Sequence, residues 1–162
     1  MPDLLTFCKW LEATTLGSSI RESLWLFPVI ETLHLFGIVL LVGASTAFDL
    51  RLLGWALRDH SIDDLGRRLL PWAWAGFTVQ VLTGFLLFSS EATKCYANPA
   101  FRIKMLLLVL AGVNAFIFHR ASRRTPDLTT VSQSPVFAKI AGAASILLWL
   151  GIIAAGRFIG FV

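Results

Sequence analysis

Two ionisable side chains, Glu31 and His34, stand three residues apart in an otherwise apolar run from Leu24 to Phe48. On a helix that spacing puts them on neighbouring parts of one face. A carboxyl beside an imidazole can relay a proton, ligate a metal or hold a haem iron. Helical steps bring Ser45 and Asp49 onto the same stripe, with Val29, Leu33 and Leu40 on the far side. A second run offers Gln80 and Thr83 beside Gly76 and Gly84, and a third offers Asn114. Glu31, His34, Gln80 and Asn114 are therefore the candidate buried polar cluster. Gln80 and Asn114 also suit plain interhelical hydrogen bonding, worth about 0.6 to 2 kcal/mol per contact.

His34 and His119 are the candidate haem ligands, and two axial histidines must lie at similar depth. Counted from Leu24 and Phe101, they enter their runs by roughly 15 and 27 Å at 1.5 Å per residue. Starting the first run near Ile20 narrows that gap to about 6 Å on the same rise. The cofactor is left open, with haem b one candidate. His119 followed by Arg120 also suits an interface among head groups, and His60 suits a solvated loop. A copper path would draw on Met or Cys beside His. The two methionines are Met1 and Met105, and neither cysteine lies in an apolar run. No Ser-His-Asp pattern, phosphate-binding loop or zinc-hydrolase motif occurs, so independent catalysis is not expected.

The elements that must position these residues follow from composition. The chain has 162 residues, of which 56% are hydrophobic and 15% charged, against about a quarter charged in soluble domains. Mean hydropathy is +0.73. These values exclude a soluble enzyme, a disordered tail and a disulfide-dense scaffold, and favour one small membrane unit. A bilayer core needs about 20 mostly apolar residues per helix. Four runs qualify, at about 24–48, 72–90, 101–119 and 136–157. In hydrocarbon each must satisfy its own backbone, so all four are expected to be helices. The fold expected over 1–162 is all-α, a four-transmembrane-helix bundle with an N-terminal amphipathic interfacial helix.

The connections carry their own signals. Ser19 with Glu22 reads as a capping box that starts the first long helix near Ile20. Pro28 is expected to remove one of its hydrogen bonds. Ser61 and Asp64 signal a short helix before Pro71, and Arg123 to Pro135 reads as an exposed loop. Leu4, Cys8 and Leu11 give the segment from Leu4 to Leu16 an apolar side fit for a membrane surface. Met1 to Asp3 lacks a basic n-region, so no cleavable signal peptide is expected. Ala138 with Gly142, Ala111 with Ala115, and Gly156 with Gly160 are spaced for close helix packing.

The net charge is +4, but Lys and Arg lie at the ends of apolar runs rather than along a phosphate-binding stripe, so no nucleic-acid partner is expected. Arg51, Arg58, Arg67, Arg68, Arg120, Arg123, Arg124 and Lys139 fall on one side. Lys9, Arg21, Lys94, Arg102, Lys104 and Arg157 fall on the other. The richer side is expected in the cytoplasm, with both termini periplasmic. Cys8 and Cys95 then lie outside, either as a disulfide or as two thiols.

The segment from Trp25 to Gly54, with Pro28, Glu31, His34, Gly37, Gly43, Asp49 and Arg51, resembles a group of uncharacterised small four-span proteins of bacterial inner membranes. Pro71 to Gly76, Thr83 with Gly84, and Asn98 to Lys104 are similar to that group as well. More distantly, the chain is similar to the copper-resistance D-type membrane domain and to four-helix b-type cytochromes. The resemblance implies a four-helix bundle in the inner (plasma) membrane and carries no established activity. The function expected is a non-catalytic subunit with a buried Glu31/His34 site for haem, another redox group or a proton relay. A small-solute or ion transporter and a structural accessory subunit are the alternatives. Its partners are the lipid bilayer and another membrane or periplasmic protein.

Overall fold

Long, mostly apolar runs become helices here because hydrocarbon supplies no partner for the backbone. The computed structural model describes residues 2–124 and 135–161. Among them there are helices and turns and no strand. The order is α1 Pro2–Glu12, α2 Thr15–Glu22, α3 Leu26–Leu53, α4 Ile62–Ser90, α5 Ala92–Ala97, α6 Pro99–Arg124 and α7 Val136–Phe158. α3, α4, α6 and α7 are long and apolar enough to cross a membrane, so this is a multi-pass protein with four candidate spans. The loop read between Arg123 and Pro135 lies, apart from its ends, outside the described residues.

Local chemistry moves several boundaries. Ser19 does not start the first long helix. Thr14 caps α2 by accepting from Gly17 N, and Ser23 Oγ then accepts from Trp25 N and Leu26 N. The chain therefore breaks between α2 and α3. Pro28 is the third residue of α3, where its missing N–H would have had no helical partner, so no helix hydrogen bond is lost. Ser61 does cap a helix, accepting from Asp64 N at 3.1 Å. That helix continues through Pro71 to Ser90 instead of stopping before the proline. Gly54, with φ of +73°, ends α3 in a left-handed turn that a side chain would strain.

The four spans pack in the sequence α4, α3, α7, α6, while α4 and α6 touch through the stacked rings of Phe88 and Phe101 without close backbone packing among the described residues. α3 is thus central. Gly76 sets the closest approach: a Cβ there would come within 2.5 Å of Leu41 N. Gly142 lies similarly close to the Asp49 carbonyl on the other side of α3, at 3.1 Å from an added Cβ. The α6–α7 pair is joined at Lys104–Gly156, Leu107–Gly151 and Asn114–Ala141, and by stacked Phe118 and Phe137.

α1 and α2 do not simply float on the bilayer as one surface helix. Cys8 and Leu11 are buried against Ala92, with Phe88 and Tyr96 around them. Glu12 accepts from both Thr93 N and Thr93 Oγ1, at 2.8 and 2.7 Å. Leu4, Phe7 and Trp10 remain exposed on the outer side, as an interfacial helix would present them.

Candidate functional site

The polar residues of α3 and α4 meet where two glycines thin the interface. Gly37 leaves room for Val79 and Gln80, and Gly84 faces His34, whose Cε1 would lie 3.3 Å from an added Cβ. Gln80 Nε2 donates to the His34 carbonyl at 2.5 Å. His34 Nδ1 lies 2.8 Å from Thr83 Oγ1. The Thr83 hydroxyl in turn donates to the Val79 carbonyl at 2.5 Å. Because that hydroxyl has one proton, its oxygen accepts from Nδ1–H, and the lone pair of the ring rests on Nε2. No described residue hydrogen-bonds Nε2.

Lys104 of α6 is the charged side chain whose field reaches the His34 ring. It is half-buried, and its stem lies along Gly156 of α7, where an added Cβ would be 3.7 Å from Nζ. Among the described residues no carboxylate pairs with Lys104. Sequence reading counted it only among the basic residues at the ends of apolar runs. The signal that was missed is a charge one turn inside the run from Phe101, two residues beyond Arg102, with a glycine available on the antiparallel helix.

The candidate cluster is brought together in part. His34 and Gln80 meet, with Thr83 added. Glu31 does not join them. It is exposed on the outer side of α3, since one helical step of 100° separates it from buried Ile30. Asn114 is engaged elsewhere, donating to the Ala141 carbonyl at 3.0 Å. His34 and His119 do not meet either. Phe118 packs edge-on against Phe48 at 5.8 Å, and an equal count of residues back along the two parallel helices brings Lys104 level with His34. His119 is therefore level with Asp49, about 22 Å from His34 along parallel helices, and it is exposed. His60 is exposed in its loop, as expected.

A second polar position lies at that other level. Asp49 is 5% exposed, hydrogen-bonded to Ser145 of α7, and its Oδ2 has no partner. Buried Arg51 donates from Nε to the His60 carbonyl at 2.7 Å. Around them Leu52, Ile62 and Ala138 form a cluster closed by Phe48 and Phe118. Asp49 was on the stripe read from the sequence, but Ser145 was not foreseen.

The described residues contain no group of three or more His, Cys, Asp or Glu placed to hold a metal ion. Cys8 and Cys95 are both free thiols. Burial, and then Glu91, push the Cys95 thiol up to about 11, so it stays protonated near neutrality.

Residues 7–162 match a family described as a family of unknown function, DUF6644, and the chain belongs to it. No curated protein and no solved structure matches the chain.

Proposed function

We propose that this DUF6644 member is a non-catalytic subunit of a bacterial inner membrane that holds a small ligand or redox group, or passes a proton, at His34. One observation carries the proposal: Nδ1 is committed to Thr83 and the Cε1 edge of the ring lies against Gly84, while no described residue hydrogen-bonds Nε2. An imidazole oriented through one nitrogen presents the other for ligation or proton exchange. The excess of Lys and Arg around the α3–α4 connection supports a cytoplasmic place for it, with both termini outside.

Within this proposal, haem b is one occupant to test. The residues present supply His34 as one axial ligand, and His119 is too far along α6 to be the second. The test is an absorption spectrum of freshly purified and haem-supplemented protein. A Soret band that disappears in His34→Leu supports the haem form, and its absence in both preparations removes it. More broadly, the wild type is expected to retain a co-purifying small molecule that His34→Leu releases. If a folded His34→Leu protein retains everything the wild type does, the site has no ligand and the accessory-subunit alternative takes its place.

A transporter is favoured by a different observation, the unpartnered Oδ2 of Asp49. An ionisable group inside a span is a site for protons or ions by default. Asp49→Asn, rather than Glu31→Gln, is then the substitution expected to stop ion flux in proteoliposomes.

A further inference from the structure

Resting on the His34 site just described, we propose that it receives the head group of an acidic amphiphile. Lys104 binds an oxyanion of that head group, His34 Nε2 accepts an O–H from it, and the apolar tail lies in the opening between α4 and α6.

The first support is charge. A lysine within a span is costly unless something answers its charge, and no described carboxylate does so for Lys104. Nearby acids are taken: Glu91 pairs with Lys94 at 2.8 Å, and Glu12 accepts from Thr93. The titratable groups that act electrostatically on or with Lys104 are His34 and Cys95, neither of which supplies an anion. A positive neighbour also disfavours a metal cation at Nε2 and favours a ligand that is negative on one side and a proton donor on the other.

Space and depth give the second support. Gly156 lets the Lys104 stem lie flat on α7, and Gly84 admits the His34 ring. α4 and α6 meet through stacked Phe88 and Phe101 at the outer end, and they do not pack together below. Lys104 is five residues into α6, about 8 Å from its start at 1.5 Å per residue. That is a depth at which lipid head groups give way to acyl chains. A glycerol-bearing acidic phospholipid matches all three features: oxyanion, hydroxyl and chain.

The test uses the full chain in a mild non-ionic detergent, titrated with phosphatidylglycerol, with phosphatidylcholine of the same chains, or with inorganic phosphate. Native mass spectrometry counts what stays bound. The wild type is expected to retain phosphatidylglycerol in preference to the other two. Lys104→Met should weaken retention roughly ten- to a hundredfold, the loss of one charge-assisted hydrogen bond. Lys104→Arg should preserve it, and Lys94→Met, at an exposed pair, should leave it unchanged. Gly156→Val, which crowds the ammonium without removing it, is the second variant should Lys104→Met fail to fold, and it too should release the lipid. Equal retention by folded Lys104→Met, or by wild type of phosphatidylcholine, overturns the inference; so does inorganic phosphate binding as tightly as the lipid, which would leave a free-anion site. If His34→Leu loses its co-purifying molecule while Lys104→Met binds as wild type does, this inference fails and the His34 site stands. If neither variant changes what is bound, both fail.

Discussion

At the Asp49 level the helices close over their polar group, whereas at the His34 level they part around it. Both groups ride on α3, fifteen residues apart, and each takes one polar partner from a neighbouring helix: Ser145 of α7 for Asp49, Thr83 of α4 for His34. What differs is the fill. Three aromatic rings pack in series near Asp49, Phe48 edge-on to Phe118 and Phe118 stacked on Phe137, and Leu52 beside it is 2% exposed. Near His34 the neighbours are Gly84, Thr83 and Gln80. The contrast is between one level packed shut by aromatic rings and another that, on the function proposed above, is left free to bind.

The largest test of that division is Leu52→Ala. A buried leucine among Ile62, Ala138 and Phe48 should cost about 2–5 kcal/mol when truncated, read as a fall in thermal unfolding in detergent. His34→Ala should cost far less, because its surroundings are already open. Equal losses would erase the distinction between the two levels.

A sharper comparison makes the same change at both. An added Cβ at Gly142 meets the Asp49 backbone carbonyl and Leu52 Cβ, both at 3.1 Å. Neither can swing aside, so Gly142→Ala should cost about 1–3 kcal/mol by overpacking. At Gly84 the added Cβ meets an imidazole edge at 3.3 Å, and a ring facing an opening can turn. Gly84→Ala should therefore cost less than about 1 kcal/mol, below the usual overpacking range, while disturbing whatever His34 holds. If Gly84→Ala is the more damaging of the two, the His34 level is packed and the proposed opening is closed.

The sequence made the spans legible because uninterrupted apolar runs of sufficient length leave few alternatives to a helix in lipid. It made half of the cluster legible for a similar reason: His34, Gln80 and Thr83 are the polar exceptions on their helices. What it lacked was the rotation of each helix about its axis. Glu31 and His34 are neighbours on a helical wheel, yet the boundary between the interior and the lipid side falls between them. Depth was the other gap. The choice of Leu24 or Ile20 as the point of entry moved His34 relative to His119, and the Phe48–Phe118 contact is what fixes that register. Capping was misread at Ser19 because Thr14 and Ser23 could do the same chemistry a turn away, and pattern alone does not rank them.

Next in size is Ser145→Ala. Asp49 already has one carboxyl oxygen without a partner, so removing its remaining side-chain donor in an enclosed place should cost about 1–3 kcal/mol. Asp49→Leu in the same background should recover most of that loss, since the buried group whose desolvation is uncompensated is then gone. Failure of the second substitution to recover stability would mean that Asp49 contributes a contact beyond Ser145.

The matching change at the His34 level is Thr83→Val, and its effect on stability should be the smallest, about 0.6 kcal/mol as for typical hydrogen bonds between membrane helices. Its informative readout is the ring. With Thr83 accepting, the proton is held on Nδ1 and Nε2 is bare. Valine fills the same volume but accepts nothing, so the ring should relax toward the tautomer with its proton on Nε2, visible in the nitrogen chemical shifts of labelled histidine. That tautomer cannot accept an O–H at Nε2, and retention of phosphatidylglycerol should fall in parallel. A ring that keeps its proton on Nδ1 without Thr83 would show that something other than the α4 hydroxyl orients it, and would remove the difference in role between Thr83 and Ser145.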